Sequence, residues 1–211
     1  MRWRRLVVGS VLATEGAALV YLFCGRRACL TWGSTVEEAG RSMPGDELLP
    51  KPDVLATRSV TVNAPAAAVW PWLMQMGSGR GGVYTYDWIE NLFGLDMHSI
   101  NEIRPEFQDR KVGDAERLGK SGPVMRVNVL DPEKSMVLAS DDGTWVWAFG
   151  LYPNGEGRTR LVSRNRIAAP GAALPRRAFQ TLVMEPGSLI MERKMLLGIK
   201  ERSEALAMRS G

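Results

Sequence analysis

The sequence predicts an α+β domain, and three observations carry that prediction. An early strand is followed at once by two helical segments, a middle stretch alternates short strands with turn residues, and the C-terminus is one long amphipathic helix. The 211 residues exceed the roughly 150 that suffice to bury a sizeable core, so one domain with an N-terminal extension fits. An apolar fraction of 45% and a charged fraction of 24% are those of a globular chain.

The formal charge of +4 is confined to the start of the chain. Arg2, Arg4, Arg5, Arg26 and Arg27 stand there against Glu15 alone, and the rest of the chain balances to zero. A body without a net basic field argues against nucleic-acid binding. Cys24 and Cys29 are the two cysteines, too few for a structural zinc site or a disulfide framework, and no metal is expected.

Taken in order, residues 1–30 are expected to form an apolar N-terminal helix. Residues 6–24 hold one charge, Glu15, and are long enough to span a bilayer. Glu15 near the middle costs on the order of 2–3 kcal/mol, which the Leu, Val and Phe residues offset. A cleaved signal fits poorly, because Arg26 falls where a small residue is needed. The segment therefore predicts association with the cell membrane, single-pass or peripheral. A helix packed on the domain of a cytoplasmic protein is the alternative.

Residues 31–56 read as a short helix and linker. Thr35 and Glu38 have the spacing of a capping box, and Met43 to Asp53 carries three prolines and a glycine. The domain proper spans residues 57–211. Arg58 to Val62 is its first strand, with Val60 and Val62 on one face. Pro65 then opens a helix running to Met76, which Pro71 should kink by removing a bond to the Ala67 carbonyl.

Gly77-Ser78-Gly79-Arg80-Gly81-Gly82 follows a helix and precedes Val83-Tyr84-Thr85-Tyr86, the reverse of the order a dinucleotide fingerprint requires. Its glycines instead allow a tight turn beside something bulky. Arg80 either clamps an anionic group of a ligand or pairs with Asp87 or Glu90. Tyr84, Tyr86 and Trp88 complete an aromatic segment suited to closing a pocket. Asp87 begins a second helix, where a carboxylate suits the dipole, and Glu90 shares its face. These two and His98, the sole histidine, are the acid/base candidates. Without a serine elbow or a body cysteine, a nucleophilic triad has little support.

Beyond Gly113, Met125 to Val129 alternates as a half-buried strand, and Asp131 to Lys134 turns into Met136 to Ser140. Thr144 to Leu151 places Trp145, Trp147, Phe149 and Leu151 on one face, as cavity wall or as core. Thr159 to Ile167 sets Arg158, Arg160, Arg164 and Arg166 on an outer, solvated face. Ser163 and Asn165 then point inward, where buried polar groups need partners. Residues 168–177 read as a loop. Ser188 to Met208 is an amphipathic helix with Met191 and Met195 on one stripe, and Gly198 lets it approach the sheet.

The local text carries a resemblance. Thr31-Trp32-Gly33, Pro44-Gly45-Asp46-Glu47-Leu48, Val69-Trp70-Pro71-Trp72-Leu73, Gly79-Arg80-Gly81-Gly82-Val83-Tyr84 and residues 191–200 resemble the SRPBCC superfamily. Within it, they are similar to an actinobacterial group that has no universal catalytic signature. The superfamily also holds START lipid-transfer domains and polyketide cyclases. The resemblance implies a helix-grip fold, in which a curved antiparallel sheet wraps a long C-terminal helix around an apolar pocket. It implies no particular reaction. The Rieske centre and mononuclear iron of ring-hydroxylating members need Cys and His ligands that this chain lacks, so no cofactor is expected.

The function expected is binding or transport of a hydrophobic small molecule or lipid. Ligand contacts are expected from Arg80, Tyr84, Tyr86, Trp88, Trp145, Trp147, Ser163, Asn165, Met191 and Met195. One alternative is a cyclase- or dehydratase-like enzyme using His98, Asp87 or Glu90. Another is an interaction module with a filled core.

Overall fold

The computed structural model describes residues 20–92, 94–119 and 122–210. Most of the apolar segment at 6–24 lies outside these residues. Among the described residues, no helix is long and apolar enough to cross a membrane.

Six strands form one antiparallel sheet: β1 (Val54–Val62), β2 (Ala115–Arg117), β3 (Val124–Asp131), β4 (Ser135–Ser140), β5 (Trp145–Pro153) and β6 (Thr159–Ile167). Their order is β1-β6-β5-β4-β3-β2. The β2-to-β6 meander follows from turn residues at each corner, and β1 closes against β6 from the far end of the domain. A register shift between Val127 and Val129 marks a bulge in β3.

Helices stand at both ends of the described residues. A π-turn at Tyr21–Gly25 leads into α1 (Arg26–Leu30), and the expected capping box is formed at the start of α2 (Val36–Gly40). Between β1 and β2 lie α3 (Ala66–Met74), with Pro71 inside it, and α4 (Asp87–Leu92). The C-terminal helix is longer than the sequence suggested. It starts with α5 (Leu174–Phe179), passes through a π-turn at Gln180–Met184 and continues as α6 (Glu185–Ser210). Pro186 therefore lies inside the helix rather than breaking it. The Glu185 N–H bonds to the Gln180 carbonyl, an i to i−5 step, so the register widens where proline can donate nothing.

The inner face of the sheet packs on α3 and α6. Val62, Phe149 and Leu161 from strands meet Trp72 and Leu73 of α3 and Leu196 and Ile199 of α6 in one buried cluster. Gly198 admits a close approach, but to the loop after α3 rather than to the sheet. A Cβ there would stand 2.8 Å from the Tyr84 carbonyl oxygen.

The outer face carries the main correction to the sequence reading. Arg160, Arg164 and Arg166 do not face solvent; residues 33–50 lie across them. Arg160 pairs with Glu38, while Arg164 and Arg166 share Asp46 at 2.7 and 3.0 Å. Arg164 also donates to the carbonyls of Glu38, Ala39 and Arg41, and is 2% exposed. Beside this network Met43 packs with Val137, Val146, Ala148 and Val162 in a second, smaller core. The row is buried because the linker brings its own carboxylates.

Candidate ligand cavity

Period-2 alternation turns Val54, Ala56 and Arg58 of β1 inward, together with Trp145 and Trp147 of β5 and Asn165 and Ile167 of β6. The strand register sets Ala56 opposite Asn165 and Arg58 opposite Ser163, with Trp147 opposite Asn165 on the other side. On α6, Glu185, Ser188, Met191, Glu192 and Met195 recur at helical spacing and face the same space. Between them lies a cavity of about 660 Å³. Val83, Thr85 and Glu90 also line it, as do Arg26, Arg176, Gln180 and Met184. That volume falls in the range of small-molecule sites.

The wall is aromatic and sulfur-rich. Trp145 and Trp147 stack with ring centroids 5.6 Å apart, and Met191 and Met195 stand among the lining residues. Stacked rings and thioethers offer a large, adaptable apolar surface.

The polar floor is a closed network. Glu192 forms an ion pair with Arg58, and its other oxygen accepts from Ser163 Oγ at 2.6 Å and Asn165 Nδ2 at 3.0 Å. Arg58 donates further to Ser188 Oγ and the Cys29 carbonyl, each at 3.0 Å. Trp147 Nε1 donates to Ser163 Oγ and Trp145 Nε1 to Asn165 Oδ1. Complete burial pushes the Glu192 carboxyl above its usual range, while Arg58, Ser163 and Asn165 pull the other way. Glu185, also in the lining, accepts two 2.8 Å bonds from Arg26 and one from Tyr21 Oη.

Two other lining residues are not satisfied in this way. Glu90 is 6% exposed, and its Oε2 has no hydrogen-bond partner; Thr85 Oγ1, also shut off from solvent, has none either. Burial raises the Glu90 carboxyl pKa and Asp87 adds to the rise. The nearby Thr85 hydroxyl offsets part of it, though the two atoms do not meet in bonding geometry.

The sequence-named residues divide accordingly. Trp145, Trp147, Asn165, Met191, Met195 and Glu90 line the cavity, and Ser163 lies beneath it in the Glu192 network. Tyr84 is buried away from it, with its hydroxyl bound to the Trp72 carbonyl at 3.0 Å. Tyr86 lies under Lys194, and Trp88 is 71% exposed. Arg80 donates to the Phe107 carbonyl at 2.6 Å, and it lines a separate recess of about 330 Å³ with Arg110 and Glu116. It bonds neither Asp87 nor Glu90. Asp87 braces the loop after α4 by accepting from Ser99 N and Oγ, and the exposed His98 meets Asp96 at 3.1 Å. Neither Asp87 nor His98 lines the cavity.

Arg58, Glu192, Thr85 and Glu185 escaped the sequence reading. Two signals for them existed. Arg58 continues the inward phase of Val60 and Val62, and Glu192 lies between Met191 and Met195 on the apolar stripe.

No protein-family model and no curated protein matches the chain. Among solved structures, it is similar to the Zhui aromatase/cyclase from Streptomyces sp. R1128, at 16% identity over 75% of this chain and 98% of that one, with a TM-score of 0.47. It is also similar to the self-sacrificing resistance protein CalC from Micromonospora echinospora, at 11% identity over 72% and 96%, with a TM-score of 0.42. A third similar structure is a polyketide-cyclase-like protein from Corynebacterium glutamicum, at 17% identity over 77% and 93%, with a TM-score of 0.37. These likenesses concern the fold alone: an antiparallel sheet with a long C-terminal helix, the helix-grip arrangement.

Proposed function

We propose that the chain binds a small, largely apolar molecule in the cavity between the sheet and α6. The observation that carries this reading is the cavity itself: about 660 Å³ walled by stacked Trp145 and Trp147 and by Met191 and Met195. Apolar burial supplies the affinity, at roughly 25 cal/mol per Å² of surface removed from water. The test is titration with pyrene, a rigid apolar fluorophore, followed through its emission. One saturating site is expected. Ala56→Phe, which projects a ring into the cavity from β1, should weaken binding at least tenfold with the fold intact by circular dichroism. Absence of saturable binding by the wild type, or equal binding by the variant, contradicts the reading.

A second reading has Glu90 move protons on a bound substrate, because it is the acid/base candidate that lines the cavity. It needs a carboxylate within hydrogen-bond reach of an acidic C–H. The test is deuterium exchange at the α-carbon of 2-tetralone, an apolar enolisable ketone. Acceleration by the wild type and not by Glu90→Gln supports it; equal rates with and without protein overturn it.

A further inference from the structure

The buried polar atoms around the cavity fall into two classes, apart from the more exposed Arg176, Gln180 and Thr181. Arg58 spends all three nitrogens, on Cys29, Glu192 and Ser188. Both Glu192 oxygens are taken, and both tryptophan N–H groups of the wall are bound to side chains of β6. Asp53 accepts from the Ala169 N–H, and Glu185 is held by Arg26 and Tyr21. Among the described residues that line the cavity, the buried side-chain atoms without a partner are Glu90 Oε2 and Thr85 Oγ1. A buried polar atom without a partner forfeits the hydrogen bonds it made to water, most of all when it is charged, so the pair is costly to bury unpartnered.

We propose that Glu90 and Thr85 form the polar anchor of the cavity and select an apolar ligand bearing a hydrogen-bond donor, a hydroxyl, enol or amine. This deepens the proposed function and rests on it. The geometry suits the task. α4 brings Glu90 to the same cavity that Trp145 and Trp147 line, so a flat ligand lying along the rings shares one enclosure with the carboxyl. Each buried polar atom of the floor already has a protein partner, whereas Glu90 Oε2 accepts such a ligand's proton donor and Thr85 Oγ1 accepts or donates beside it. A missing donor leaves Glu90 unpaired in the complex as well, and sites built on a buried polar group discriminate strongly for that reason.

The experiment compares 1-hydroxypyrene with pyrene, by isothermal titration calorimetry on the full chain and on Glu90→Leu. The wild type should bind the hydroxylated probe at least tenfold more tightly. Glu90→Leu should abolish the preference, bringing the ratio of the two affinities close to one whatever the pyrene affinity itself does, and its thermal midpoint should rise because the orphaned carboxyl is gone. Pyrene binding without a preference in the wild type, or a preference that survives Glu90→Leu, overturns this inference and leaves apolar binding standing. Failure of both probes with the wild type overturns the binding reading itself. If Glu90→Leu does not fold, Glu90→Gln serves. It keeps the shape and weakens the acceptor, and an unchanged hydroxyl preference in that variant also overturns the inference.

Discussion

Glu192 and Glu90 show how differently two buried carboxylates can be set in one cavity. Glu192 is locked by Arg58, Ser163 and Asn165, so its removal strands a buried guanidinium. Glu192→Ala should cost about 3–5 kcal/mol of stability in urea unfolding, whereas Arg58→Met combined with Glu192→Met should cost far less, because no charge is left unpaired. Glu90 behaves in the opposite sense. Its folded carboxyl lies above the ordinary value, so the stability it allows is present at low pH and is lost as pH rises through that raised value. Glu90→Gln should therefore gain on the wild type as pH increases from about 4 towards neutrality. A constant difference across that range would count against the burial of Glu90. At this scale the sequence was half legible. Met191, Met195 and the β5 tryptophans announced themselves by periodicity. Arg58 and Glu192 shared the inward phase, but their pairing was not legible, because an ion pair 134 positions apart leaves no local pattern.

At the scale of elements, strands were easier to read than helix ends. The turn residues between β3 and β6 marked every corner, and Thr35 with Glu38 marked the start of α2. The sequence started the last helix at Ser188, after Glu185-Pro186-Gly187, but a π-turn re-registers the backbone ahead of the proline and the helix runs on through it. The loop between α3 and α4 was legible as a tight turn but not by its neighbour. Gly82 has φ +72° and lies against the backbone of His98 and Ser99, and Tyr84 itself has φ +61°. That loop meets α6 at Gly198. Gly198→Ala gains helix propensity but places its methyl 2.8 Å from the Tyr84 carbonyl oxygen. The clash should win, with a net loss of about 1–3 kcal/mol, read as a lower urea midpoint. A gain would show that the loop yields more easily than its hydrogen bond to Trp72 implies.

Across the whole molecule, the sheet is covered on both faces, by α3 and α6 inside and by residues 33–50 outside. The outer cover is electrostatic as much as apolar, and its acid sensitivity follows. Burial alone would raise the Glu38 carboxyl, but Arg160, the Thr35 N–H and Ser59 outweigh it and hold the group at about 2. A depressed carboxylate lends stability that is complete above its unfolded value near 4.5 and is lost as pH falls towards 2. After solvent screening that amounts to no more than about 2 kcal/mol. Glu38→Gln should flatten the acid limb of the stability profile over that window. This cover was the least legible part of the fold, because a row of arginines on alternate strand positions is ordinarily solvated. What reversed it was a pair of acidic residues, Glu38 and Asp46, in a segment that read as linker.

The central claim is that the space between the sheet and α6 takes up an apolar molecule. Methyl-¹³C methionine spectra, recorded with and without pyrene, test it directly. Met184, Met191 and Met195 line the cavity, Met43 lies in the outer core and Met208 is exposed on the last turns of α6. The account predicts large shifts at the first three and little change at the other two. Shifts concentrated at Met43 or Met208, or none at Met191 and Met195, would contradict it.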